Sequence, residues 1–570
     1  MTFKNQDYLN MKQEYDVVIA GGGLAGLTLS IQLKQANPDI SILILESRDK
    51  AAAIAAHKVG ESTVELATHY FREVLGLKNY LEEYELPKHG LRFFFTDNKK
   101  TELSNRVELG PRLKLPVPSH QLDRGTFENY LEKYTKELGT DFLLAARAKD
   151  VVFGENGELH EVVYAHERED KKIKTKWLVD ATSRISLLKK KLGFQKDAPH
   201  NVNAAWFRVK GVVDIDEWSE NKEWKTFLAP KLRYLSTVHF IDKGYWLWVI
   251  PLGSKNTSIG IVADDDIHPF DTINTYEKAV AWINKYEPQA AKYVCPNKED
   301  ILDFRILKHF AHASNRVYSA DRWAVTGEAG LFLDPFYSPG SDFISLNNTW
   351  LSDLILRDHK GEDITVRAQI YEQTHLSWFE SWLPIYQDKY KLMGNTQIMV
   401  FKIFWDWAIY WSVPCLLFTN HGFTDLKILK ELFVAENSLG RKFGRLNKAV
   451  QDLFIDWLPH EKAIFENRYI DPLDLNYLKS FQRGIDEMHG KDTIVSKVAE
   501  NMIVLEKVAA EMFRLISHQV NNTPEDIMVN PYKINLKALY NASEHEHGLM
   551  IDDEIKADVS KMWFYEHVMA

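Results

Sequence analysis

The chain has 570 residues, 45% of them hydrophobic and 26% charged, an ordinary globular composition with length for about two to four packed units. A net charge of -10 argues against a nucleic-acid partner, since phosphate binding requires a basic surface. The two cysteines, Cys295 and Cys415, lie far apart without metal-ligand spacing, which argues against a disulfide scaffold or a zinc site and suits a reducing cytoplasm.

The N-terminal MTFKNQDYLNMKQE has no apolar core, so no signal peptide is expected. YDVVIA is β-branched and apolar, GGGLAGLTLSIQLKQA reads as a turn opening a helix, and SILILE is a second apolar strand, the start of a doubly wound α/β sheet. Gly21, Gly23 and Gly26 form G-x-G-x-x-G, with Leu24 and Ala25 inside the turn and Glu46 ending the second strand. The first glycine permits a tight turn, the second lets backbone approach a pyrophosphate, the third allows close helix packing, and the carboxylate takes ribose hydroxyls. The pattern predicts a dinucleotide site and serves NAD and FAD alike.

KVGEST (58–63) precedes the helical VELATHYFREVLGL, and LPKHGLRFFF places Lys88 at the mouth of an apolar strand. Strand-like runs between 201 and 263, among them NAAWFRVKGVV, STVHFI, GYWLWVIP and TSIGIVA, predict an antiparallel sheet inserted in the nucleotide domain. KWLVDATS and RWAVTGEAGLFLDP read as further buried strands running into turns. After about residue 360 the texture becomes helical: only eight of the 28 glycines lie in the last 210 residues. The segment MVFKIFWDWAIYWSVPCLLF (399–418) has the length of a membrane span, but Lys402, Asp406 and Pro414 interrupt it, so it reads as a buried or lid-like helix. The histidines His545 and His547 form too loose a cluster for a metal site and are expected to be solvated; no metal is expected.

HQLDRGTFENYL, carrying Arg124, and the later GEAG turn, with Glu328 where an aspartate is usual, resemble the FAD-binding aromatic-hydroxylase superfamily. Trp246, Trp248, Ile250 and Pro251 form W-x-W-x-I-P, and with G-x-G-x-x-G this resembles the flavin-dependent halogenases over about residues 14–350. KVGEST, with Ser62, resembles the segment that packs beside the flavin, and FLDPFYSPG resembles the F-x-x-P-x-x-S-x-G element of halogenases acting on phenols and pyrroles, carried by Phe332, Pro335, Ser338 and Gly340. KHGLRF resembles K-x-G-I-R-F, which places the family's catalytic lysine on Lys88 rather than on Lys58.

The resemblance implies an FAD-binding Rossmann-like domain at 14–200 and 300–355, an inserted antiparallel-sheet substrate region at 201–299, and a mainly helical region at 356–570. It implies FAD, supplied as FADH2 by a separate flavin reductase, with O2 and chloride or bromide held by backbone amides near Gly340 and Ser341. Hypohalous acid is relayed by Lys88, with Ser338 as the second catalytic residue, to an electron-rich aromatic that is free or bound to an acyl-carrier protein. The tryptophans keep that substrate from the flavin. Tryptophan halogenases carry P-L-E-S where this chain has Pro335, Phe336, Tyr337 and Ser338; the missing glutamate points to a phenol or pyrrole. The competing expectations are an FAD/NADPH aromatic hydroxylase, a flavin-dependent prenyl-chain reductase or desaturase at a membrane, and a non-catalytic FAD-binding subunit.

Overall fold

The computed structural model describes residues 11–53, 60–97, 99–155, 157–295 and 298–565. Lys58 and Val59 of KVGEST lie outside them. In chain order the N-terminal half contains β1 (Glu14–Ala20), α1 (Leu24–Ala36), β2 (Ile42–Leu45), α2 (Glu65–His69), β3 (Leu86–Lys88), β4 (Leu91–Phe94), β5 (Glu108–Leu109) and β6 (Ser119–Gln121). It continues with α3 (Arg124–Glu137), β7 (Asp141–Leu143), β8 (Arg147–Val152), β9 (His160–His166) and β10 (Glu169–Asp180). There follow β11 (Val202–Lys210), β12 (Thr237–Asp242), β13 (Tyr245–Pro251), β14 (Asn256–Asp264), β15 (Ile301–Leu307) and β16 (Trp323–Val325). The C-terminal part contributes α4 (Gly340–His359), α5 (Thr365–Tyr386), α6 (Thr396–Tyr410), α7 (Leu439–Trp457), β17 (Tyr469–Ile470) and α8 (Ile494–Asn521).

The first sheet runs β7-β2-β1-β10-β9-β8, with β16 beside the end of β10. Its members β7, β2, β1, β10 and β16 are parallel to their neighbours, and β10, β9 and β8 form an antiparallel extension. Every residue of β2 is buried, and so is β1 from Val17 to Ala20, as expected of strands covered on both faces. Dinucleotides bind at the carboxyl ends of such strands, and α1 begins there.

The second sheet has eight strands in the order β15-β11-β14-β13-β12-β4-β5-β17. It draws on 201–264 but also on β4 and β5 before that stretch and on β15 and β17 after it. The pairing of β12 with β4 is parallel and carries the turn after Lys88 into the sheet, and β3 pairs with β6 through Lys88 and Ser119. One face of this sheet packs on a satellite core that includes Phe94, Phe207, Leu247 and Trp282; the other turns Trp246 and Trp248 toward the main core.

The helical part is buried where the sequence is most aromatic. All but the last residue of α6 are buried, a π-helical turn spans Trp411–Cys415 at Pro414, and a short helix ends at Thr419. Lys402 is neutralised in place: its Nζ donates to Asp406 Oδ2 at 2.7 Å and to Gln451 Oε1 at 3.0 Å. Among the described residues no helix is long and apolar enough to cross a membrane. His545 departs from the solvated expectation: it is 3% exposed, accepts from Asn530 N at 2.9 Å and stacks on Tyr540.

Candidate active site

The β1–α1 turn is shaped by glycine. Gly21 has φ +115°, and a Cβ there would run into the Ala181 carbonyl; one on Gly26 would run into the carbonyl of Gly21. Gly23 caps α1 with no side-chain hydrogen bond, leaving the first-turn N–H groups for an anion. Glu46 sits at the end of β2, its oxygens accepting from Gly22 N at 2.7 Å and Arg48 N at 2.8 Å.

A cavity of about 320 Å³ opens from this turn, within the range of small-ligand sites. Gly23, Leu24, Ala25, Ser62, Arg124 and Glu328 line one side, and Trp246, Trp248, Ile250, Ser338, Gly340 and Ser341 line the other. Pro251, Gly21, Gly26 and Glu46 lie outside this lining. Arg124 begins α3 and reaches the Gly60 carbonyl at 3.3 Å, and Glu328 accepts from Ser183 Oγ at 3.0 Å. Two donors on the lining, Arg184 Nη1 and Trp206 Nε1, are buried without an acceptor among the described residues. Orphaned donors beside an open helix N-terminus and flat indole walls suit a large aromatic, polyanionic group such as FAD.

The W-x-W pair follows from strand alternation: Trp246 and Trp248 are two apart on β13 and face the same side. Trp248 lies opposite Gly260 of β14, where a Cβ would overlap the indole ring. Trp248 Nε1 donates to Ser258 at 3.1 Å and Trp246 Nε1 to Tyr390 at 2.8 Å. Beside them Phe336 packs against Trp246, with ring centroids 5.3 Å apart, and against His239 at 5.8 Å. His239 is held neutral, its pKa pushed down to about 3 by burial above all, with the charge of Lys88 adding to the effect.

Lys88 does not sit at a solvated strand mouth. It is 3% exposed, donates from Nζ to the Thr63 carbonyl at 2.6 Å, and faces a second, smaller cavity of about 50 Å³. Burial lowers its pKa to about 7, opposed by the negative charges of Glu65 and Asp342. Aromatic side chains of Tyr337, Trp382, Tyr386, Trp407, Tyr410 and Trp411 line this cavity, so the aromatic segment from 399 supplies much of its wall. Its present volume holds about one or two waters. A benzene ring enters only as these side chains part.

The two cavities share a wall made of two chain segments. From 335 to 342, Pro335, Ser338, Gly340 and Ser341 face the larger cavity while Tyr337, Pro339 and Asp342 face the smaller one. From 61 to 65, Glu61 and Ser62 face the larger, Val64 and Glu65 the smaller. Tyr337 and Ser338 hold positive φ values of 70° and 63°, which turns the chain sharply so that neighbours point opposite ways. Pro339 then caps α4, leaving the N–H groups of its first turn without a side-chain cap beside the larger cavity.

Motif reasoning missed several residues of this site. Glu61 is neutralised by Arg208, whose Nε donates to it at 2.7 Å and whose Nη1 donates to Asp303 at 2.6 Å. Beside Asp406, which is paired with Lys402, Glu65 and Asp342 bring two further carboxyls to the Lys88 cavity, although the motif position that carries glutamate in tryptophan halogenases is empty of acid here. Burial raises the pKa of both, that of Asp342 to about 7. Nothing in the motifs marks them, because a carboxyl's facing is set by the fold.

Residues 14–279 match the family described as FAD binding domain. The flavin-dependent halogenase chlA of Dictyostelium discoideum is 26% identical over 502 residues, 79% of this chain and 81% of that protein. A 1H-pyrrole-2-carbonyl peptidyl-carrier-protein brominase of Pseudoalteromonas luteoviolacea is 26% identical over 357 residues, 62% of this chain and 79% of its own. The crystal structure of halogenase PltM matches the fold with a TM-score of 0.61 at 16% identity, covering 89% of this chain and 97% of that one. Residues 14–279 thus match an FAD binding domain, and over most of its length the chain is similar to a flavin-dependent halogenase.

Proposed function

We propose that the protein halogenates an electron-rich aromatic, a phenol or pyrrole, with hypohalous acid made at the larger cavity and relayed past the shared wall to Lys88. The single observation that carries this reading is the placement of a buried amine in its own aromatic-lined cavity, one wall away from the dinucleotide cavity. Bound in its reduced state, FAD supplies the activation of O2 with which halide is oxidised.

The chain's own residues divide the remaining work. The α1 N-terminus and Arg124 suit the pyrophosphate, Glu46 the ribose, and Ser62 and Glu328 the flavin end of the cofactor. The uncapped first turn of α4 at Gly340 and Ser341 suits a halide. Pro339 has no N–H to offer it. Trp246, Trp248 and Phe336 fill the space through which an arene would otherwise reach the flavin, with Ile250 and Pro251 ending the same strand. Lys88 then holds the oxidant against the ring, and Ser338 lies on the oxidant's side of the wall.

A flavin reductase as electron donor and an acyl carrier as bearer of the ring belong to this proposal. A relative named for a peptidyl-carrier-bound pyrrole supports the latter. The free thiols of Cys295 and Cys415 support a cytoplasmic setting.

The test supplies the protein with FAD, a flavin reductase, NADH, bromide or chloride, and a panel of phenols, pyrroles and indoles, with products read by mass spectrometry. Lys88→Ala is expected to abolish halogenated product while oxygen consumption by reduced flavin persists. Normal halogenation by that variant overturns the role of Lys88. Fast substrate-stimulated NADPH oxidation without a reductase would instead identify a hydroxylase.

A further inference from the structure

We propose that Asp342 is the base that takes the proton of a ring hydroxyl, so that the arene placed beside Lys88 is a phenol rather than a pyrrole; this rests on the halogenase reading above. Asp342 is the third residue of α4 and 5% exposed. Its Oδ1 accepts from Ala67 N at 2.9 Å and its Oδ2 from the Tyr410 hydroxyl at 2.7 Å. Each carboxylate oxygen keeps a second lone pair. The group is therefore fixed in orientation by two donors while able to receive a third.

Glu65, Asp342, Asp406 and Lys88 line one cavity; Asp406 is paired with Lys402 and burial raises the pKa of Glu65, which leaves Asp342 as the carboxyl that faces the Lys88 amine. The other titratable groups that act on Asp342 are quiet: burial holds Tyr386, Tyr410 and Cys415 protonated, and Asp406 is paired with Lys402. A purely structural site would be expected to dispense with the second carboxyl. Burial instead holds Asp342 near the neutral range, where a base is most effective, against the lowering effect of its hydrogen bonds from Tyr410 and Ala67.

The step balances with these three groups. The phenol O–H gives its proton to Asp342, leaving phenolate. A ring-carbon electron pair forms the carbon–halogen bond as the halogen–oxygen bond of hypohalous acid breaks, and the released hydroxide takes a proton from the Lys88 ammonium and departs as water. One oxygen of the Glu65 carboxyl takes the proton from the substituted carbon as the other gives its own proton to the Lys88 amine, and Asp342 returns the hydroxyl proton to the product. The net change converts one arene C–H and hypohalous acid into arene C–halogen and water. A pyrrole N–H is far too weak an acid to follow the first step.

The experiment compares wild type with Asp342→Asn, which is nearly isosteric, on a phenol, its methyl ether, and a nitrophenol already ionised at the assay pH. Turnover of the phenol is expected to fall by about 10²- to 10⁴-fold in the variant, with the nitrophenol largely spared and the methyl ether poor in both. An equal loss on phenol and nitrophenol, or a methyl ether turned over as well as the phenol by wild type, overturns the proposal. A second measurement needs no turnover: a cyanophenol bound to the full-length protein without halide or reductant is titrated by its phenolate absorbance. Wild type is expected to raise its apparent pKa relative to Asp342→Asn, because the carboxylate at the phenolic oxygen repels the phenolate, and equal values in the two proteins overturn the proposal. If wild type shows that shift yet makes no halogenated product from any phenol, the role of Asp342 stands and the halogenase reading falls.

Discussion

Trp246 donates its indole N–H to the hydroxyl of Tyr390 at 2.8 Å, across 144 positions of sequence. Tyr390 donates onward to Asp334 at 2.8 Å, and Asp334 is met by His200 Nε2 at 2.6 Å. The same carboxylate accepts from Phe336 N at 2.8 Å. One buried network thus fixes both rings that stand between the flavin cavity and the core, Trp246 by its N–H and Phe336 by its backbone.

Tyr390→Phe removes the hydroxyl at the centre of that network and leaves a buried indole N–H without its acceptor. The expected cost is about 1–3 kcal/mol, the range for an orphaned buried polar group. It is read as a lower denaturant midpoint at unchanged slope, with a shift in tryptophan emission. An unchanged midpoint would mean that the indole finds another partner.

Glu61 shares Arg208 with Asp303, all three buried. Truncating one partner of a buried ion pair leaves charge without compensation, so Glu61→Ala is expected to destabilise by about 3 kcal/mol, the low end for such losses because Asp303 remains. Because Glu61 also lines the larger cavity, FAD affinity should fall with it. Both are measured on one preparation, by denaturation with and without excess FAD. Full recovery of stability on adding FAD would place the damage at the site alone.

Gly260 has no room for a side chain, because the indole of Trp248 covers the place a Cβ would take. Gly260→Ala is expected to push that ring toward the cavity, at a cost of about 1–3 kcal/mol for overpacking. The signature is FAD binding weakened by about tenfold or more, since 1.4 kcal/mol is one decade. Wild-type FAD affinity in the variant would show that Trp248 yields elsewhere.

What the sequence disclosed of this site is what local chemistry requires. The β1–α1 turn was legible because its glycines answer to backbone geometry within a few residues, and β13 because alternation puts Trp246 and Trp248 on one face. The shared wall was legible only as two separate motifs. That KVGEST and FLDPFYSPG back onto one another, with consecutive residues serving different cavities, depends on a sharp turn at Tyr337 and Ser338. Asp342 was invisible for a further reason: its meaning comes from Ala67, 275 positions away, and from Tyr410 on a helix that composition alone marked only as aromatic. The strands β4, β5 and β17 that widen the second sheet were equally hidden, being two to four residues long with partners distant in sequence.

The Lys88 cavity makes turnover depend on pH through two groups of opposite demand. As an ammonium Lys88 can protonate the departing hydroxide, and burial brings its pKa down to about 7, so that capacity is present below about pH 7 and lost above it. Asp342 must be ionised to accept a proton, and burial raises its pKa to about 7, so its capacity is lost below that point. Halogenation of a phenol should therefore follow a bell centred near pH 7, its two limbs belonging to the interacting set of Lys88, Asp342 and Glu65 rather than to single residues. Oxygen consumption by reduced flavin, followed in parallel, should not share the bell. Asp342→Asn is expected to flatten the acid limb, and a substrate already ionised to do the same in wild type. Lys88→Arg keeps its charge throughout this range and should extend whatever activity it retains to higher pH. A rate that climbs steadily from pH 6 to 9 would reverse the assignment, requiring the neutral amine to attack the oxidant and carry the halogen itself.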